Sequence, residues 1–150
     1  MRRSFLHDRS ILLAASMLTT FAVVRAWLHV RPDTDLTVGP YNVHHLFTGV
    51  VILSVCGIPA VLRTARGVAS RVLVAGFGVG LALVLDEWLY LIVTDGSNAA
   101  YVRMPSLMGG AALVGAASAY ALWLRREGSD LDSYDELAAR RDDRDLTPSN

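Results

Sequence analysis

Four apolar runs constrain this chain more than any other feature. They cover residues 11–30, 45–62, 72–94 and 105–124. Each comes close to the ~20 residues a helix needs to cross ~30 Å of hydrocarbon. A soluble four-helix bundle would show a polar stripe along each helix, and these runs lack one. With no water to satisfy backbone groups inside a bilayer, such segments span it as helices. The expected fold is therefore all-α, a four-helix transmembrane bundle over residues 1–126 with a polar, acidic tail over 127–150. Arg2 and Arg3 precede the first run as they would in a signal peptide. That run is long for the apolar region of a leader, and no A-x-A site follows it, so it reads as an anchor.

Arginine placement sets the expected orientation. Arg2, Arg3 and Arg9 flank the N-terminus, Arg63, Arg66 and Arg71 occupy the middle connection, and Arg125 and Arg126 follow the fourth run, while the other two connections hold only Arg31 and Arg103. Positive residues stay cytoplasmic. Both termini should then lie inside, with 32–43 and 95–104 outside, as in a multi-pass protein of the plasma membrane. Across the whole chain 14 basic residues balance 14 acids, so no global field points to a nucleic-acid partner. The single cysteine, Cys56, excludes an internal disulfide and sits in an apolar run, where a thiol behaves as a small hydrophobe.

The tail from Glu127 carries eight acids and three arginines. Ser133-x-x-Glu136 has the form of a capping box, and Glu136 with Arg140 is a favourable i,i+4 pair. A lone helix of about ten residues is marginal in water, so the tail is expected to be solvated and partly disordered. Small residues mark the bundle's packing faces. Gly76 and Gly80 form a G-xxx-G pair, and Gly109, Gly110 and Gly115 lie among alanines in the fourth run. In lipid such residues let helices approach closely, within the chain or toward a membrane-protein partner or a second copy. Pro59 predicts a kink or an early end to the second helix.

Against this background the stretch LALVLDEWLY stands out. Asp86 and Glu87 lie adjacent inside the third run, and Arg25 lies inside the first. A charge at mid-bilayer costs ~2.5–3.5 kcal/mol on insertion scales, so each of these needs a partner. Neighbouring helical residues point about 100° apart, so the two acids face different elements. Glu87 shares a face with Gly80 and is expected to point into the bundle toward the histidines, leaving Asp86 as the Arg25 partner. At 1.5 Å per residue the acids sit roughly 10–12 Å below the outer end of their helix. His29 and Tyr90 stand one turn above Arg25 and Asp86, and His44-His45 open the second run. All these polar residues fall in the outer half of the membrane, which disfavours an ion path through its whole thickness.

Histidine with carboxylate is ligand chemistry for zinc, iron or manganese, which makes His44, His45 and Glu87 candidate metal ligands. The helix spacing places the doublet some 10 Å above the acids unless the second helix is set deeper, and no H-x-x-x-H or E-x-x-H spacing is present.

These residues also carry a resemblance. VHHLFTG, followed by a glycine-rich helix running into LDEW, resembles a group of small uncharacterised prokaryotic integral membrane proteins with HHxxxG and GxGLxLDE helices. The matching positions are His44, His45 and Gly49, then Gly78, Gly80, Leu81, Asp86 and Glu87, within a region of about 41–106. The resemblance implies the membrane fold and treats doublet and acids as one unit; it implies no reaction.

Two readings follow. In the first, the protein carries an outward-facing His/carboxylate site for a metal or a lipid headgroup, with Asp86 or Glu87 as general base and Arg25 pairing with an acid or holding an anion. In the second, it is a non-catalytic accessory subunit that docks through its glycine faces. The orientation is directly testable. In a Cys56→Ala background, a cysteine at Ser97 should be labelled from outside and one at Ser129 only after permeabilisation. The reverse pattern would overturn the topology.

Overall fold

The computed structural model describes residues 9–31, 37–38, 41–42, 44–62, 67–94 and 97–145, with the side chains of 37–38, 41–42, 98–99 and 127–145 left outside the description. Arg2, Arg3, Arg63 and Arg66 of the orientation argument, and the side chains of Ser133, Glu136 and Arg140 in the tail, lie outside it. The helices are α1 (Arg9–Val30), α2 (His45–Leu62), α3 (Gly67–Val93), the single turn α4 (Asn98–Tyr101) and α5 (Met104–Asp145). Between α1 and α2 an antiparallel pair, β1 (Thr37–Val38) and β2 (Tyr41–Asn42), matches Thr37 with Asn42 and Val38 with Tyr41.

Four helical segments are long and apolar enough to cross a membrane: Arg9–Val30, His45–Leu62, Gly67–Val93 and Met104–Arg126. Their outward faces are apolar, with Val30, Val55, Val61, Val68 and Ile92 all exposed. Lipid contact accounts for this surface.

Two helices run beyond their apolar cores. α3 starts at Gly67, ahead of residue 72, and Gly67 itself takes a left-handed φ of 62°, which glycine adopts at little steric cost. α5 continues as one helix to Asp145 and does not stop at 124. Leu, Ala, Glu and Arg in that extension are good helix formers, and an existing helix end removes the cost of nucleation. In α2 the helix continues one turn beyond Pro59 to Leu62.

α3 is the centre of the bundle, packing on α1, α2 and α5, while α1 also packs on α5. Met17, Ala82 and Val114, one each from α1, α3 and α5, form the buried centre, with Leu13, Phe21 and Leu85 around them.

α3 meets its neighbours through two stripes at four- and three-residue spacing. Gly76, Gly80, Leu83 and Glu87 face α2. A Cβ on Gly76 would run into Cys56, and one on Gly80 would come within 2.8 Å of the Gly49 carbonyl and the Leu53 amide. Gly78, Ala82 and Asp86 face α1 and α5, where a Cβ on Gly78 would strike Ser16. The acids therefore end two different packing stripes.

Substitution at these glycines should separate packed from open positions. Gly80→Ala meets backbone on the facing helix and should cost ~1–3 kcal/mol of stability in detergent. Gly115→Ala, which meets nothing within 4 Å, should leave stability unchanged or raise it slightly. Equal melting temperatures for the two variants would refute the backbone contact between α2 and α3.

Candidate functional site

Toward the C-terminal end of α3 its two stripes finish in two carboxylates with different surroundings. Asp86 is 1 % exposed and turns toward α1. Its Oδ1 accepts from Arg25 Nε at 2.7 Å, with Arg25 Nη2 at 2.6 Å. Its Oδ2 accepts from the Tyr101 hydroxyl, and His45 Nε2 stands 3.2 Å away. Both oxygens are thus occupied.

Arg25 is equally committed. Beyond Asp86, its Nη1 donates to the Tyr101 carbonyl at 2.8 Å, and Nη2 donates to the Ser106 carbonyl at 3.1 Å and to Ser106 Oγ at 3.2 Å. The guanidinium also lies 4.0 Å from the centre of the Tyr101 ring, a cation–π contact. Every guanidinium nitrogen is bonded, so no fork is left to hold a substrate phosphate. The sequence offered Arg25 either an ion pair with an acid or an anion to hold; here its partner is Asp86. Gly110 makes room for the pair, since a Cβ there would come 3.1 Å from Arg25 Nη2.

Glu87, 3 % exposed, turns toward α2. Its Oε2 accepts from the Leu46 amide at 2.7 Å, and its Oε1 lies 3.1 Å from His44 Nδ1 and 3.3 Å from His45 Nδ1. The Leu46 amide belongs to the first turn of α2, where backbone donors have no partner within the helix. Glu87 therefore caps α2 from a neighbouring helix, with its negative charge at the positive end of the dipole.

This capping also corrects the depth assigned to the doublet. α2 starts level with the acids, and His44 and His45 reach them directly. α3 is the longer helix, 27 residues against 18, and its last turns rise above the start of α2.

The two histidines differ in role. His45 has a carboxylate oxygen within 3.3 Å of each ring nitrogen. His44 uses Nδ1 on Glu87, and its Nε2 has no hydrogen-bond partner among the described residues. Its side chain is 21 % exposed, enough to be reached.

Tyr90 is buried beside His44, their ring centres 6.3 Å apart, and its hydroxyl donates to the Ser97 carbonyl at 2.9 Å. His29 lies exposed on α1, away from these contacts.

Three contributors had no sequence signal of comparable strength: Tyr101, Ser106 and the Leu46 amide. Tyr101 ends α4, in the connection between α3 and α5, and its hydroxyl reaches Asp86. Burial, reinforced by Asp86, pushes its phenol well above the ordinary value, so it remains a hydrogen donor. An aromatic in the short connection directly above two membrane acids is the cue that was present.

Among the described residues no three His, Cys, Asp or Glu side chains are arranged to hold a metal ion. His44, His45 and Glu87 are together, but their polar atoms meet one another and do not converge on a common point. Comparison of the chain with family models, curated proteins and solved structures gave no match.

Neutral isosteres should distinguish the acids. Asp86→Asn leaves the buried Arg25 charge uncompensated and should cost ~3–5 kcal/mol. Glu87→Gln keeps an acceptor for Leu46 and should cost about 1–2 kcal/mol. Melting temperatures in one detergent provide the comparison, and a larger loss for Glu87→Gln would contradict the assignment.

Proposed function

We propose that this chain is a multi-pass protein of the plasma membrane, with both termini cytoplasmic, whose outward-facing end carries a proton-accepting site centred on His44. One observation carries the reading: Glu87 holds His44 through Nδ1, while Nε2 has no partner among the described residues and the side chain is partly exposed. A carboxylate on one imidazole nitrogen fixes the tautomer and leaves the lone pair on the other. That is the arrangement of a general base, which must come within hydrogen-bond reach of the proton it takes.

In this reading His44 takes a proton from a hydroxyl or a water at the outer boundary. Glu87 orients His44 and stabilises the imidazolium that forms. Arg25, Asp86, Tyr101, Ser106 and His45 hold that pair in place, and Asp86 is structural. The substrate approaches from the outer leaflet or the aqueous side. The resemblance described above supports treating doublet and acids as one unit.

A divalent metal remains a reading of the same residues, because imidazole and carboxylate suit zinc, iron and manganese. It requires His44 and His45 to release Glu87 and converge on one point. Stoichiometric metal in the purified protein, lost in His45→Ala, would replace the proton-acceptor reading with that one.

The accessory-subunit reading has one supporting feature. Gly115 meets no neighbour and lies among the exposed Ala112, Ala116 and Ala119 on α5, a face that a partner helix could approach.

Carbethoxylation tests the base. At about pH 8.5, where an ordinary imidazole is neutral, diethyl pyrocarbonate should modify His44 faster than His45, with each site followed by mass spectrometry. Glu87→Gln should change the His44 rate and leave that of His29 unaffected. Equal rates at His44 and His45, or a His44 rate indifferent to Glu87, would reject the proposal.

A further inference from the structure

Above the polar network, the last turn of α3, α4 and the start of α5 enclose a cleft of about 400 Å³ lined by Val93, Thr94, Ser97, Ala100, Arg103 and Pro105. Its position is that of a membrane–water boundary, since Thr94 directly follows the apolar α3 and Pro105 opens the apolar part of α5. The lining matches that position: Val93, Ala100 and Pro105 present carbon, whereas Thr94, Ser97 and Arg103 present polar groups.

Arg103 sets the chemistry of this cleft. It is exposed, and its guanidinium has no hydrogen-bond or ion-pair partner among the described residues. The other two arginines toward the outer end are engaged: Arg25 is bonded at every nitrogen, and Arg31 lies 5.8 Å from the centre of the Trp27 ring. Arginine on the outer side also runs against the usual distribution of positive charge in membrane proteins. A planar fork of donors at the interface matches a phosphate, which it can bind through two charge-assisted hydrogen bonds.

We propose that this cleft binds a phosphate group through Arg103, and that the group is the headgroup of an anionic phospholipid of the outer leaflet whose acyl carbons lie against Val93 and Pro105. The shape of the lining favours the lipid over free phosphate. Phosphate alone has no use for the apolar wall, whereas a lipid at this depth presents phosphate and hydrocarbon together. The site adjoins the network without sharing its donors, because Tyr90 stands between His44 and the Ser97 carbonyl. The proposal therefore does not depend on His44 acting as a base.

The test uses the full-length protein, delipidated in a non-ionic detergent. Phosphatidylglycerol, diacylglycerol and inorganic phosphate are added separately, with the melting temperature and the lipid adducts in native mass spectrometry as readouts. Phosphatidylglycerol should raise the melting temperature and appear as a bound adduct, and diacylglycerol should do neither. Arg103→Gln should weaken the lipid effect on the order of tenfold or more, Arg103→Lys should restore part of it, and His44→Gln should leave it intact. An equally large, Arg103-dependent effect of inorganic phosphate would keep the phosphate site and reassign its source to a soluble anion. Equal responses to phosphatidylglycerol and diacylglycerol, or an Arg103→Gln variant that binds as well as the parent, would overturn the proposal.

Discussion

The ion pair between Arg25 and Asp86 is the interaction on which this end of the bundle depends. Neither charge is tolerable alone in hydrocarbon, and each becomes acceptable only when its remaining hydrogen-bond capacity is met. That requirement recruits the neighbours. Tyr101 supplies a hydroxyl to Asp86 and a carbonyl to Arg25, Ser106 supplies a carbonyl and a hydroxyl, and Gly110 lets α5 come close enough. One ion pair thus ties α1, α3, α4 and the first turn of α5 together.

Glu87 extends the same logic to α2. That helix packs chiefly on α3, through a glycine contact near its middle and the carboxylate cap at its start. Lipid offers no hydrophobic drive for helix association, so close backbone packing and polar bonds must hold α2. A consequence is that both histidines are fixed by the same acid that secures their helix. His45 is held between the carboxylates, and His44 keeps one nitrogen without a partner among the described residues. Glu87 secures α2 together with both histidines, while the oxygens of Asp86 are taken up by Arg25, Tyr101 and His45.

Much of this was legible in the sequence because membrane physics leaves few choices. Twenty apolar residues without a polar stripe dictate a spanning helix, and an unpaired charge in such a helix dictates a partner. The division between the acids followed from helical geometry, since Glu87 lies seven residues from Gly80 on one face and Asp86 one step off it. The depth of α2 was not legible, because it depends on how the chain between α1 and α2 delivers His44, and spacing within a helix carries no such information. The length of α5 was obscured for a related reason. The end of an apolar run marks where hydrocarbon stops, and a helix of charged residues can continue in water. Tyr101 and Ser106 escaped notice because each is ordinary for its place, and only the fold brings them to Asp86 and Arg25.

The most direct test of this account is a pair of double-mutant cycles by thermal or denaturant unfolding in a single detergent, one coupling Arg25 to Asp86 and the other Arg25 to Glu87. Such cycles isolate the interaction between two positions from the cost of each substitution. The account predicts a coupling of ~2–3 kcal/mol or more for Arg25 with Asp86 and a much smaller one for Arg25 with Glu87. Comparable couplings for the two acids, or none for Arg25 with Asp86, would contradict the division of labour between them.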